Sequence, residues 1–138
     1  GGPLGLLLVD VDHFKQINDR HGHATGDQVL AQLCETLRAD LRPFDTLGRL
    51  GGEEFALLLP GCGIEALHAA GERLRAAVAA SRFSGPQGVV PPVTVSVGAA
   101  ALTERDGQLE ALLRRADAAL YRAKRAGRNR VCEAEASD

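Results

Sequence analysis

Apolar and polar positions alternate along this chain with two different periods, which separate short strands from longer helices. The apolar run Leu6–Val9 ends in carboxylates and predicts a buried central strand. Apolar residues spaced by three and four predict amphipathic helices over 27–41, 64–78 and 109–126. Gly127 follows the third of these helices and is expected to end it.

The segments between the helices predict the remaining strands and turns. The other predicted strands are Thr46–Leu50, Phe55–Leu59, Val93–Val97 and 130–132. Asp12 is expected to cap a short helix that ends near Gly22, followed by a polar turn at 23–26. A loop rich in Gly and Pro is expected over 85–92.

The order of these elements is strand, two helices, hairpin, helix, strand, helix, strand. Strands joined by a hairpin pair directly, whereas strands joined through helices require crossover connections. We therefore predict an α+β fold with a mixed central sheet flanked by helices. Neither an internal repeat nor a linker divides the chain, so we predict one domain over 1–132 and a tail over 133–138.

Composition and charge exclude several classes of protein. The 138 residues suit one domain with a real core, and a net charge of -2 gives no basic footprint for a nucleic-acid polymer. The early apolar run is far shorter than the roughly 20 residues of a membrane helix, and no basic segment precedes it as in a signal peptide. We therefore expect no membrane contact by this segment.

The three cysteines are odd in number and widely spaced, which favours neither a disulfide framework nor a zinc site. We interpret them as reduced thiols, as expected in the cytoplasm. Because the chain lacks an initiator Met and begins shortly before its first motif, we expect it to be a fragment of a longer protein, which could be anchored in a membrane through upstream regions.

Carboxylates follow the first strand and occupy the tip of the predicted hairpin. Asp10 and Asp12 end a buried strand, where a carboxylate is costly unless it binds metal, caps a helix or reaches solvent. Glu53 and Glu54 follow two glycines that would let backbone approach a phosphate closely. Beside Asp10 they would form a hard-oxygen site suited to Mg²⁺. The alternatives are helix caps and a plain Gly-Gly turn with solvated glutamates.

Four motifs in chain order make the chain resemble the GGDEF family of diguanylate cyclases. The hairpin tip matches the family signature in its GGEEF form, and the three other segments resemble D-x-D-x-F-K-x-x-N-D, G-H-x-x-G-D and A-D-x-A-L-Y-x-A-K-x-x-G-R-N. In this sequence the motifs lie at 51–55, 10–19, 22–27 and 116–129. The resemblance implies a palm-like fold, a ferredoxin-like βαββαβ core with an added β-hairpin carrying GGEEF.

The resemblance also implies roles for individual residues. The metal ligands would be Asp10, the Val11 backbone carbonyl, Glu53 and Glu54, and Glu53 is also cast as the general base. The substrate-binding residues would be Phe14, Lys15, Asn18, His23, Asp27, Gly52, Lys124 and Arg128. Among these, Asn18 and Asp27 would recognise guanine, since a carboxylate can accept from N1–H and the exocyclic amine. Lys15, Lys124 and Arg128 would hold the triphosphate, and the spacing of four between the last two predicts a shared helix face.

The implied reaction condenses two GTP into cyclic di-GMP and two pyrophosphates, with Mg²⁺ or Mn²⁺, two ions per half-site, in a homodimer. Arg42 and Asp45 match the spacing of the family's R-x-x-D inhibitory site for the product, with Arg73 as a second arginine. Arginine can donate a fork to guanine O6 and N7. One departure is the absence of the family's preceding helix and L-T-x-L-x-N-R segment, so part of the nucleotide pocket could be missing.

Two other functions remain open at this point. A catalytically silent module could retain GTP or cyclic di-GMP as a regulatory ligand, although such members normally lose the Gly-Gly-acid-Glu residues present here. A related palm-type cyclase or polymerase for another nucleotide would keep the carboxylates but not the pair Asn18 and Asp27.

Overall fold

The computed structural model describes residues 2–136 and 138, and within them strands and helices alternate as predicted. The strands are β1 (Leu4–Val11), β2 (Thr46–Gly51), β3 (Glu54–Pro60), β4 (Ser84–Gly85), β5 (Gly88–Val89), β6 (Val95–Ala101) and β7 (Val131–Glu133). The helices are α1 (Phe14–His21), α2 (His23–Arg38), α3 (Ile64–Ala80) and α4 (Leu109–Arg125).

Five strands form a central mixed sheet in the order β2-β3-β1-β6-β7. The pairs β2–β3, β3–β1 and β1–β6 are antiparallel, whereas β6–β7 is parallel. Strands β1, β2, β3 and β6 with their intervening helices form the βαββαβ core, and α4 and β7 extend it. The predicted α+β fold is confirmed, and the hairpin expected as an addition supplies the second and third strands of the core itself.

Strand β1 is buried on both faces because helices cover the sheet on both sides. Its residues Leu7, Val9 and Val11 join the core formed with α2 and α3. The alternate residues Leu6 and Leu8 join a second core with α4. Side chains of a strand alternate between faces, so Asp10, two residues beyond Leu8, lies on the α4 face.

Helix α4 lies unusually close to the sheet where it crosses β6. A Cβ atom added at Gly98 would overlap the carbonyl oxygen of Ala116 and the backbone of Leu120, whose Cα would lie only 2.9 Å away. Glycine at this position therefore lets the helix backbone rest directly on the strand. This contact sets the height of α4 above the end of β1.

Several local expectations are corrected by the structure. Helix α2 begins at His23, whereas residues 23–26 were expected to form a turn, because Gly22 with φ of 90° alone separates α1 from α2. The helix ends at Arg38, three residues before the predicted end at 41. Strand β6 starts and ends later than expected, and the 85–92 loop contributes the small hairpin β4–β5. Glu133 belongs to β7, whereas Ser137 of the expected tail lies outside the described residues.

Candidate active site

The pairing of β1 with β3 brings the end of the first strand to the tip of the hairpin. Asp10 lies directly opposite Glu54 in the antiparallel register, and the Val11 N–H donates to the carbonyl oxygen of Glu53 at 3.2 Å. An open cavity of 260 Å³ is lined by Asp10, Leu50, Gly51, Gly52, Glu53 and Glu54. The sheet register thus gathers the acidic residues of two distant motifs around one cavity.

The charges in this cavity are only partly balanced. Lys124 Nζ donates to Asp10 Oδ2 at 2.6 Å, yet burial raises the pKa of the Asp10 carboxyl more than this contact lowers it. Burial also raises the pKa of Glu54, and repulsion from Asp10 and then Asp117 adds to the rise. A cation placed between these carboxylates would relieve both penalties.

The donor set fits a hard divalent cation that is completed by its substrate. Within residues 2–136 and 138, three or more His, Cys, Asp or Glu side chains nowhere converge as a preformed metal cage. Mg²⁺ is usually held by only one or two carboxylates together with water and substrate phosphates. Asp10 and Glu54 supply that number of carboxylates at the mouth of the cavity, whereas a ligand role for Glu53 and the Val11 carbonyl remains a prediction.

Arg49, which sequence reasoning missed, braces the hairpin tip. Its Nε and Nη2 donate to the carbonyl oxygen of Gly52 at 2.9 and 2.6 Å. Gly52 has φ of 36°, and a Cβ at Gly51 or Gly52 would meet no atom within 4 Å. The tip therefore presents open backbone to a ligand while a planar guanidinium fixes its shape. The position of an arginine two residues before the glycines is the sequence feature that could have predicted this contact.

The junction of α1 and α2 holds the residues expected to recognise the base. The Oδ1 atom of Asn18 is buried and has no hydrogen-bond partner among the described residues. Gly26 leaves the room for it, since a Cβ there would overlap this oxygen and come within 3.1 Å of the Phe14 ring. Asp27 follows on the exposed start of α2. An orphaned acceptor beside an exposed carboxylate suits a ligand that carries several N–H donors.

The basic residues expected to bind the triphosphate, and the histidine expected beside the base, lie on different elements. Lys15 lies exposed on α1, and His23 is exposed as the first residue of α2. The prediction that Lys124 and Arg128 share a helix face is wrong, because α4 ends at Arg125 and Arg128 lies in the following turn with φ of 65°. Arg128 is exposed there, while Lys124 contacts Asp10.

Asp12 is not the helix cap that the sequence suggested. The position before α1 is His13, and no side chain caps that helix. The Asp12 carboxylate, 6% exposed, instead accepts from the hydroxyls of Thr94 and Ser96, both at 2.7 Å, and from the Asn129 N–H at 2.9 Å. The two acids of the D-x-D segment therefore have different surroundings, one facing the cavity and one enclosed by donors.

A second cavity, of 350 Å³, contains the three residues expected at the inhibitory site. Arg42 Nη2 lies 2.8 Å from Asp45 Oδ1, and this pairing lowers the pKa of the Asp45 carboxyl. Arg42 also donates to the carbonyl oxygen of Pro60 at 2.8 Å and lies over the Phe44 ring at 4.6 Å. Arg73 lines the same cavity. Since Pro60 and Glu54 are the two ends of β3, the cavities lie at opposite ends of one strand.

Among the residues that the structure describes, no helix combines the length and apolarity that a bilayer crossing requires.

Fold and site together define a palm-like α+β domain with carboxylates gathered at neighbouring strand ends. The chain belongs to the GGDEF family, since the family described as "Diguanylate cyclase, GGDEF domain" matches residues 1–130. The chain is 49% identical over 131 residues to the diguanylate cyclase DgcP of Pseudomonas aeruginosa, a match that covers 95% of this chain and 19% of that relative. The chain thus spans about a fifth of that protein.

Two solved structures share the fold. The active GGEEF domain of a diguanylate cyclase from Vibrio cholerae is 35% identical, with a TM-score of 0.89, over 97% of this chain and 84% of that one. The GGDEF domain of DgcB from Caulobacter crescentus, in complex with c-di-GMP, is 34% identical with a TM-score of 0.89, over 95% of this chain and 77% of that one.

Proposed function

We propose that this chain is the catalytic domain of a diguanylate cyclase, which condenses two GTP into cyclic di-GMP and two pyrophosphates. The observation that carries the proposal is the placement of Asp10 opposite Glu54 beside a glycine hairpin tip. The relatives and the solved neighbours named above are themselves diguanylate cyclases or GGDEF domains, and one was solved with the product bound.

Recognition of GTP is assigned to two groups of side chains. The orphaned oxygen of Asn18 and the carboxylate of Asp27 accept from the N–H groups of guanine, with His23 and Phe14 beside them. The triphosphate binds Lys15, Lys124 and Arg128 and approaches the open backbone at Gly52. Because adenine lacks the N1–H and the 2-amino group, the adjacent donors of guanine that these acceptors would bind, this arrangement favours GTP over ATP.

The chemistry is an attack of the 3′-hydroxyl of one GTP on the α-phosphorus of another, with pyrophosphate as the leaving group. Glu53 takes the hydroxyl proton, and Lys124 offsets part of the negative charge near Asp10. Asp10, Glu53, Glu54 and the Val11 carbonyl would hold Mg²⁺ or Mn²⁺, with two ions expected per half-site. These ions supply the lowering of the hydroxyl pKa and the neutralisation of the leaving group.

Each domain binds one GTP, so two domains must face each other as a homodimer to complete the reaction. Arg42, Asp45 and Arg73 form the site where the product inhibits the enzyme. Guanine would compete with Asp45 for the fork of Arg42 and could stack where the Phe44 ring now lies. The chemistry of a nucleotide second messenger and of reduced thiols suits a cytoplasmic location.

The test is incubation of the chain with GTP and Mg²⁺, with the product identified by mass. Cyclic di-GMP is the expected product, and the assay is repeated on a dimer forced by a fused coiled coil if the free chain is silent. Glu54→Ala should abolish turnover while product binding at Arg42 persists. The matched control is Glu65→Ala, on the exposed start of α3, which should keep full turnover. A forced dimer that binds GTP but forms no cyclic product would identify a silent binding module instead.

A further inference from the structure

The turn that follows α4 has an unusual backbone. Gly127, Arg128 and Asn129 have φ values of 128°, 65° and 47° in succession. For residues other than glycine, the left-handed conformation costs roughly 1 kcal/mol or more and persists only where surrounding contacts fix it. The Arg128 N–H closes the helix end on the carbonyl oxygen of Ala123 at 3.0 Å. Asn tolerates this conformation better than most residues, and Asn129 has a restraint of its own from elsewhere in the fold.

Asp12 provides that restraint from the end of β1. Its Oδ2 atom accepts from the Asn129 N–H at 2.9 Å and from the Thr94 hydroxyl, while Oδ1 accepts from Ser96 in the buried strand β6. On the other side, Arg75 Nη1 donates to Asn129 Oδ1 at 2.8 Å. One carboxylate therefore ties the turn to two central strands of the sheet.

We infer that Asp12 is a positioning residue that acts through Asn129 to hold Arg128 in place for the triphosphate of the nucleotide. The inference rests on the proposed function, in which Lys124 and Arg128 bind the triphosphate. Lys124 extends from α4 and contacts Asp10, whereas Arg128 lies beyond the helix end. Without the contact between Asp12 and the Asn129 N–H, no residue at the end of β1 would hold the turn that carries the Arg128 side chain.

The hydrogen bonds that Asp12 accepts favour a positioning role over a role as a metal ligand. Three neutral donors, two side-chain hydroxyls and one backbone N–H, already take three of the roughly four lone-pair sites of the Asp12 carboxylate. A metal that bound both oxygens of Asp12 would have to displace donors in buried or half-buried contacts, which would then lose their partner. Asp10, by contrast, accepts a flexible lysine that can move. In the D-x-D segment, Asp10 is therefore available to a cation, whereas Asp12 holds the turn after α4.

The experiment measures binding of 3′-deoxy-GTP, which cannot cyclise, and of GMP by calorimetry in the presence of Mg²⁺. Arg128→Ala should weaken 3′-deoxy-GTP about tenfold and leave GMP unchanged, because it removes a charge-assisted contact to the outer phosphates. Asp12→Ala should weaken 3′-deoxy-GTP by a similar factor. The double variant should be no weaker than either single one, because both changes remove the same contact. Asp12→Asn should recover part of the affinity through its remaining amide oxygen.

Asp106→Asn is the matched control, since Asp106 is also a buried carboxylate, held by Thr103 and Arg115 away from the site. It should lower stability without changing the ratio of 3′-deoxy-GTP to GMP affinity. Additive losses in the double variant, or equal losses for both nucleotides in Asp12→Ala, would overturn the inference and leave the proposed function standing. Unchanged affinity in Arg128→Ala would overturn the inference together with the assignment of Arg128 to the triphosphate, while the turnover assay described above still decides the proposed function. If Asp12→Ala fails to fold, the same cycle with Asp12→Asn decides.

Discussion

Gly98 offers a direct test of how the fold controls the site. In the structure α4 rests on β6 at this residue, and about one turn beyond Leu120 the helix carries Lys124 to Asp10. Gly98→Ala adds one methyl group in the contact between helix backbone and strand backbone. Neither backbone can rotate away as a side chain would, so the helix itself must move.

The size of the effect follows from the overlap. The new Cβ would lie 2.9 Å from the Cα of Leu120 and closer still to the Ala116 carbonyl oxygen, whereas carbon atoms prefer separations of about 3.5–4.0 Å. The helix must recede by about 1 Å, which opens gaps around Leu112, Ala116 and Leu120 in the α4 core. Overpacking of this kind costs about 1–3 kcal/mol and occasionally more.

Urea denaturation measures this loss, and the proposed turnover of GTP measures its consequence for the site. With a slope near 2 kcal/mol/M, the expected loss moves the urea midpoint down by about 0.5–1.5 M. Gly48→Ala in β2 is the matched control, because a Cβ there meets no atom within 4 Å. A Gly98→Ala protein with the midpoint and turnover of the control would refute the argument that backbone contact sets the position of α4.

Three further predictions concern individual side chains. At pH 7 without divalent cation, Glu54→Gln should raise the free energy of unfolding by about 1 kcal/mol, because it removes a partly buried charge that Asp10 and Asp117 repel. The raised pKa of Glu54 means that the folded wild type binds protons more tightly, so its stability falls as pH rises through that pKa; a pH-independent difference in urea unfolding would contradict this. Arg42→Ala should raise the cyclic di-GMP concentration for half-inhibition at least tenfold in progress curves, with Arg82→Ala as an unchanged control. Arg49→Lys should lower kcat about tenfold, since one ammonium cannot replace two parallel donors to Gly52, and a normal kcat would exclude the brace.

The sequence predicted the sheet and its two helical layers because their signals are local and strong. Leu6–Val9 could only be a buried strand, and the spacing of apolar residues defined the last three helices. The start of α2 was misplaced because His23 to Gly26 resembles a turn in composition, although Gly22 alone makes the break. Helix ends depend on one residue in a particular conformation, which composition does not report.

The motifs predicted which residues form the site, but they did not predict the different contacts that Asp10 and Asp12 make. That Asp10 faces Glu54 depends on the strand register, which follows from alternation on a sheet buried on both faces. The function of Asp12 depends on Thr94, Ser96 and Asn129, which are more than 80 residues away in the chain. No periodicity reports such a contact. Similarly, the spacing of four suggested a shared helix face for Lys124 and Arg128, although Gly127 was expected to end the helix, and α4 does end at Arg125.

Asp10 and Asp12 lie two residues apart, and the distribution of charge explains how two carboxylates can be placed so close together. Asp10 keeps a raised pKa despite its lysine, and Glu54 adds a second raised carboxyl, so the cavity stores unfavourable electrostatic free energy in the absence of a cation. Asp12 avoids this cost because fixed neutral donors satisfy it within the sheet. The proposed function, in which cations bind together with a substrate, uses both properties. In the proposed function, Asp10 and Glu54 would provide the affinity for a cation, and Asp12 would keep the turn after α4 in place whether or not a cation is bound.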